Sequence, residues 1–296
     1  MGDGTLMSAV LQHVVKSHPD WIIDYQAEQG RHCVGRGIVV ETFAYGTPYP
    51  HTYYDAEFQI VLYDTWHGFT DRPNTRVSSC LRDHFGIDWD AACGRYSVAV
   101  SSGAAEKAEV LVTPRAGRGI VHHRKTVAIH YQGDSCPDKK NLTHDQAARI
   151  CSAIEKLGYT PLLMDWRDTS PLPDLDSVRT VGRVPQAQTW GGDAEMNAAV
   201  IAQCAAFVGI DSGPAKCASA TDTPSLVVWT GHHPAAFHDP APNTTHLVFE
   251  GYHTLYPICR DAGVMRWFDA NYRVCEYRND SMLVTGVVAW LQGVLR

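Results

Sequence analysis

The sequence lacks any apolar run approaching the roughly 20 residues that a bilayer-spanning helix needs, and it shows no N-terminal signal-peptide pattern. It also lacks a basic surplus: 25 Lys and Arg stand against 32 Asp and Glu, a formal net charge of −7. Nucleic-acid binding by phosphate neutralisation needs the opposite balance, so the composition argues against a general nucleic-acid binder. A local basic pocket for one nucleotide remains compatible with it. No Cys-x-x-Cys pair occurs among nine scattered cysteines, which weakens a zinc or iron–sulfur reading. Cys151, Cys204 and Cys217 sit in helical or small-residue contexts where a thiol simply packs, and the expectation is a reduced, cytoplasmic protein. Internal repeats and low-complexity segments are absent as well.

What is present is an alternation of helix and strand signals, the pattern of α/β architecture. At 296 residues the chain exceeds the usual size of one domain. Leu6, Met7, Val10, Leu11, Val14 and Val15 recur at helical spacing, and His18-Pro19-Asp20 ends that helix. Strands are expected at Trp21–Tyr25, Gly37–Thr42, Phe58–Tyr63 and Val110–Thr113, with a helix between Thr75 and His84. A Gly/Arg/His-rich interval from Pro114 to Lys125 reads as the linker. Beyond it the rhythm is cleaner. Thr126–Tyr131 and Tyr159–Met164 read as strands around a helix that opens on the capping box Thr143-His144-Asp145-Gln146. Asp193 is placed to cap a helix running to Cys204, and Asp280 a terminal helix reaching Leu295. The expected organisation is two doubly wound, Rossmann-like domains facing a cleft, residues 1–120 and 121–296. The last helix is expected to pack back on the first domain.

The segment with the clearest chemistry is Asp211-Ser212-Gly213-Pro214-Ala215-Lys216. The apolar run Ala205–Ile210 precedes it, the small residues Cys217-Ala218-Ser219-Ala220 follow, and a second apolar run, Pro224–Trp229, comes next. That order is strand, tight turn, helix N-terminus, strand, which is how a parallel sheet presents free N–H groups to an anion. Gly213 permits close approach of the backbone, Pro214 suits a first helical turn, and Lys216 adds a positive charge. On spacing alone the same residues also describe an ordinary strand–helix turn with a surface lysine.

From Thr126 to about Pro240 the sequence resembles the nucleotide-sugar-binding domain of glycosyltransferase family nine, the lipopolysaccharide heptosyltransferases and their relatives. The resemblance rests on Ile129-His130-Tyr131-Gln132-Gly133 with Lys139-Lys140, on the helix and strand from Gln146 to Met164, and on Phe207–Pro214 with Ala218-Ser219-Ala220 and Thr223-Pro224. The last of these is the most specific. Gly2-Asp3 before the first helix is similar to the family's Gly-Asp loop, which implies Asp3 as general base. The family's first strand has no counterpart before Gly2, so the expectation is a shortened N-terminal domain, either because the chain is truncated there or because that domain is built differently. Where the family has His after Gly-Pro-x, this chain has Lys216, a compact permanent charge that also suits a diphosphate.

The resemblance implies the two-domain GT-B fold and an inverting, metal-independent transfer of a sugar, a heptose or hexose, from a nucleoside-diphosphate sugar to an acceptor hydroxyl. No cofactor beyond that donor substrate is called for, and the acceptor is not identified. Such a transfer needs a base for the acceptor and positive charge for the departing diphosphate. Gly133, Lys139, Lys140, Asp211, Ser212, Gly213, Pro214 and Lys216 are the expected diphosphate-site residues, Asp211 orienting the loop rather than touching the anion. Asp168, His232 and His233 are candidates for ribose or the cleft wall; for Asp168 a solvated surface carboxylate is an equal reading. The cluster His232, His233 and His238 has no Asp, Glu or Cys at helical i+4 spacing, so a metal site is the weaker reading there. A nucleotide-sugar epimerase or hydrolase of the same fold, and a non-catalytic nucleotide-sugar-binding protein, remain as alternatives.

Overall fold

The computed structural model describes residues 2–28, 30–48, 54–60, 75–113, 126–133, 136–164, 179–181, 194–251 and 262–295. In chain order the first part contributes α1 (Gly2–Ser17), β1 (Asp24–Ala27), β2 (Glu41–Ala44), α2 (Arg76–Cys80) and α3 (Ser102–Val112). The remainder contributes β3 (Thr126–His130), α4 (Pro137–Lys140), α5 (His144–Lys156), β4 (Thr160–Met164), β5 (Arg179–Val181), α6 (Ala194–Ala202), β6 (Ala206–Ile210) and α7 (Gly213–Ser219). It continues with β7 (Ser225–Trp229), α8 (Pro234–Phe237), β8 (Thr244–Phe249), α9 (Ala262–Asn271), β9 (Arg273–Tyr277) and α10 (Asp280–Val294).

A seven-stranded sheet, every pairing of it parallel, forms the centre in the order β5-β4-β3-β6-β7-β8-β9. The chain therefore winds outward from β3 in one direction, returns, and winds outward again from β6. That is a doubly wound sheet with its switch point between β3 and β6. The central strands β3, β6 and β7 are buried along their whole length because helices cover both faces of the sheet. Ala128, Leu162, Phe207, Val227 and Val248 join one buried cluster with α6, α7 and the first part of the chain. Val127, Ile129, Leu163, Val208, Ile210, Leu226 and Val228 face the other way, onto α5 and α10. Neighbouring residues thus alternate faces, as the period of a strand requires.

Local signals account for most boundaries. Thr143 and Gln146 form the reciprocal capping box that starts α5. For α10 the cap is Asn279, which accepts from Met282 N–H, so Asp280 lies in the first turn instead of capping it. That helix packs on α5 and over β9, β6 and β8. Asp193 lies outside the described residues, immediately before α6, and so do the linker from 114 to 125 and the division at residue 120.

The first part departs further from expectation. Its described strands are β1 and β2, one parallel pair in register Asp24↔Glu41 to Ala27↔Ala44. The strand expected at Gly37–Thr42 begins only at Glu41, because Gly37, at φ +76°, sits in a turn where Ile38 and Val39 both donate to Gly35 O. Val110–Thr113 is not a strand. Ser101 caps α3 by accepting from Ala104 N–H, and the helix formers Ala104 to Glu109 carry it through Val112. Ala108 and Val112, four apart, are then buried on one face. Residues 58–60 take no strand conformation, and 61–63 lie outside the described residues.

Candidate functional site

The carboxyl ends of β3 and β6 meet at the switch point, with His130 paired to Gly209 in register. Two residues past β6, Ser212 has extended backbone and precedes α7, yet its hydroxyl makes no helix cap. It lies 3.1 Å from Ile210 O and 3.0 Å from His130 Nδ1. A carbonyl only accepts, so Ser212 donates its single proton to Ile210 and receives the Nδ1–H of His130. Burial holds His130 neutral by pushing its imidazole down to about 4.

Asp211, the residue between them, is the hub of the site. Its carboxylate is 5% exposed, and two lysines and a histidine from three separate segments converge on it. Lys216, on α7, donates to Oδ1 at 2.9 Å. Lys140, the last residue of α4, reaches Oδ2 at 3.3 Å. His232, in the loop after β7, places Nδ1 3.2 Å from the same Oδ2, its ring stacked on Phe237 at 4.5 Å. Burial alone would raise the Asp211 carboxyl; Lys216, His232 and Lys140 outweigh it and hold the group well below the usual carboxylate range. Two lysines against one carboxylate leave a net positive charge, larger still when His232 is protonated. In a partly dry location such a charge favours an anion strongly.

The expected residues separate by role. Lys140, Asp211, Ser212 and Lys216 come together, with Gly213 and Pro214 opening α7 beneath them. Gly133 closes the β3 loop by exchanging hydrogen bonds with the Asn141 side chain, at 2.8 Å and 3.3 Å. Lys139 turns its side chain to solvent while its carbonyl accepts from Thr230 Oγ1 at 2.6 Å. His232 joins the cluster. His233 is buried and caps α8, its Nδ1 accepting from Ala235 N–H at 3.1 Å, which corrects its reading as a cleft residue. His238 is also interior: its Nδ1 donates to Asp239 O, its Nε2 lies 3.1 Å from Ser219 Oγ, and burial pushes it down to about 4. Asp168 lies outside the described residues. Asp3 belongs to the first turn of α1 rather than to a loop ahead of it. Among the described residues no group of three or more His, Cys, Asp or Glu is arranged to hold a metal ion.

No protein-family model matches the sequence, and no curated protein matches it. Solved structures do match. Heptosyltransferase II of E. coli, an ADP-heptose LPS heptosyltransferase, aligns over 98% of this chain and 96% of its own at 12% identity, with a TM-score of 0.60. This chain has the fold of the heptosyltransferases. A glycosyl transferase family 9 protein from Veillonella parvula aligns over 83% of both chains at 12% identity and a TM-score of 0.60. E. coli heptosyltransferase WaaC with ADP covers 90% and 96% at 12% identity and a TM-score of 0.50. At such identity the likeness is one of fold.

Within this heptosyltransferase fold two buried acids that the sequence reading did not single out tie the first part of the chain to the large sheet. Glu195, on α6, accepts from Arg36 Nη1 at 2.7 Å and from Ser101 N–H at 2.8 Å. Asp239, after α8, accepts from Thr75 Oγ1 at 2.6 Å and Tyr96 O–H at 3.0 Å; burial raises its carboxyl to about 6. Each partner lies more than 90 residues away in sequence, so no local pattern marks the pairing.

Proposed function

We propose that the protein is a glycosyltransferase that moves a sugar from a nucleoside-diphosphate sugar to an acceptor hydroxyl. The observation that carries this reading is the convergence of Lys140, Lys216 and His232 on Asp211 at the switch point of the sheet. Open parallel sheets bind their ligands at that place. A departing nucleoside diphosphate develops charge that fixed cations stabilise without reorganisation. Lys140 and Lys216 take that role here, with no metal needed in this reading. Asp211 holds the cations in place rather than meeting the diphosphate, since like charges repel. Asp3, at the start of α1, is the proposed base that removes the acceptor proton, and direct displacement inverts the sugar carbon.

In this scheme residues 1–120 carry the acceptor side and residues 121–296 the donor side, in a cytoplasmic enzyme. ADP is the first nucleotide to examine, because the heptosyltransferase WaaC is described with ADP and heptosyltransferase II by its ADP-heptose donor. The donor sugar is a heptose or a hexose. The test is a thermal-shift screen with ADP, GDP, UDP and CDP and their sugars. A ligand at a hundredfold excess over its Kd stabilises by about 2.7 kcal/mol, which raises the melting temperature by several degrees. If none of them moves the transition, the reading is wrong.

A further inference from the structure

Lys140, at the end of α4, and His232, in the loop after β7, approach the same oxygen of Asp211, and one contact fixes how the two segments meet. The carbonyl of Lys139, one residue before Lys140, accepts from Thr230 Oγ1 at 2.6 Å. A Cβ built on the next residue, Gly231, would stand 2.8 Å from that same carbonyl oxygen and 3.2 Å from Lys139 Cβ. The first distance falls inside the van der Waals limit and involves backbone, so no side-chain rotation relieves it. Gly231 has no need of glycine for conformational reasons, since it is not among the glycines with positive φ. Its missing side chain serves the approach of α4. On the far side α4 is held by Asn141, which exchanges hydrogen bonds with Gly133. The helix is thus clamped between the β3 loop and the β7 loop, with Lys140 aimed at Asp211.

We infer that Gly231, with Thr230, is a positioning residue for the anion site: the close seat it gives the Lys139 carbonyl sets Lys140 against Asp211. This rests on the reading of that cluster as a nucleoside-diphosphate site. The residue acts through Lys140 and does not itself meet the anion.

The experiment is a double-mutant cycle on the full chain, read by titration calorimetry with ADP, GDP, UDP and CDP. Gly231→Ala is expected to raise Kd about tenfold while adding no further loss to Lys140→Ala, because both changes remove one interaction. Thr230→Val, which keeps the shape but cannot donate and introduces no clash, is expected to raise Kd about threefold, again with no added effect in the Lys140→Ala background. Should Gly231→Ala unfold the protein, Thr230→Val carries the test alone. Gly293→Ala, on α10 where a Cβ meets nothing within 4 Å, is the matched substitution expected to leave Kd unchanged. Unchanged Kd in both Gly231→Ala and Thr230→Val overturns the positioning role, as does a loss that persists in full without Lys140. Wild-type protein that binds none of the four nucleotides overturns the donor-site reading and this inference with it.

Discussion

Lys216 Nζ lies 2.9 Å from Asp211 Oδ1, five residues back in sequence, and both side chains are buried. The pair spans the turn between β6 and α7, so Lys216 neutralises the carboxylate that precedes its own helix. Its geometry is that of a lysine tied to its own loop. The charge it leaves over is shared with Lys140 and His232.

Removing Lys216 therefore has two consequences. Lys216→Ala leaves a buried carboxylate with fewer cations and is expected to cost about 3 kcal/mol of stability, at the low end for a broken buried pair because Lys140 and His232 remain. Urea denaturation reads this. The same variant should bind nucleoside diphosphate about tenfold more weakly, and an affinity equal to wild type would exclude Lys216 from the anion site. Lys216→Ala combined with Asp211→Asn is expected to recover part of the stability but none of the affinity.

Acid lability follows from His130. Its folded-state value of about 4 lies below its ordinary 6.5, so the unfolded chain binds the extra proton between those limits. Its contribution is complete above pH 6.5, falls by roughly 1.4 kcal/mol per pH unit toward pH 4, and levels off below. His238 and His246, both lowered by burial, act in the same direction, while Asp239, raised from 3.8 to about 6, acts oppositely and offsets part of their sum. His130→Asn, whose amide can still donate to Ser212, should flatten the pH dependence of the urea midpoint between pH 6 and pH 4.5. An unchanged slope would assign the acid lability elsewhere.

Gly209 tests the packing beneath the site. A Cβ at this position would come within 2.4 Å of Phe207 Cζ, and Phe207 is fully buried. Gly209→Ala is expected to destabilise by about 1–3 kcal/mol through overpacking. Because Gly209 pairs with His130, it should also disturb the His130–Ser212 contact, visible as a shift in the imidazole resonances.

Asp3 tests the proposed chemistry independently of binding. Asp3→Ala is expected to lower the transfer rate by about 10²–10⁴, the range for a general base, with nucleoside diphosphate affinity close to wild type. Full transfer activity in this variant removes Asp3 as the base.

The sequence by itself determined the second half of the molecule in some detail. Apolar runs such as Ala206–Ile210 and Ser225–Trp229 read as buried parallel strands because both faces of the sheet are covered. Thr143 with Gln146 announced α5 because a capping box is a local exchange of hydrogen bonds. The turn Asp211-Ser212-Gly213 with Lys216 was legible for the same reason: turn chemistry and charge at a strand end are written in adjacent residues. In the first half a propensity conflict hid α3, since β-branched residues at its end suggested a strand while the capped, Ala-rich start had already nucleated a helix.

Tertiary structure alone decided which charges meet. Lys140 and His232 are 71 and 21 residues from Asp211, and only the crossing of β3, β6 and β7 at the switch point brings them to one carboxylate oxygen. It also sent His233 and His238 inward as a cap and a core donor, although their neighbour His232 joined the site. Glu195 and Asp239 found partners across the fold for the same reason. Local propensity and patterning act over a few residues, whereas the desolvation that makes a buried charge costly is set by the whole packed chain.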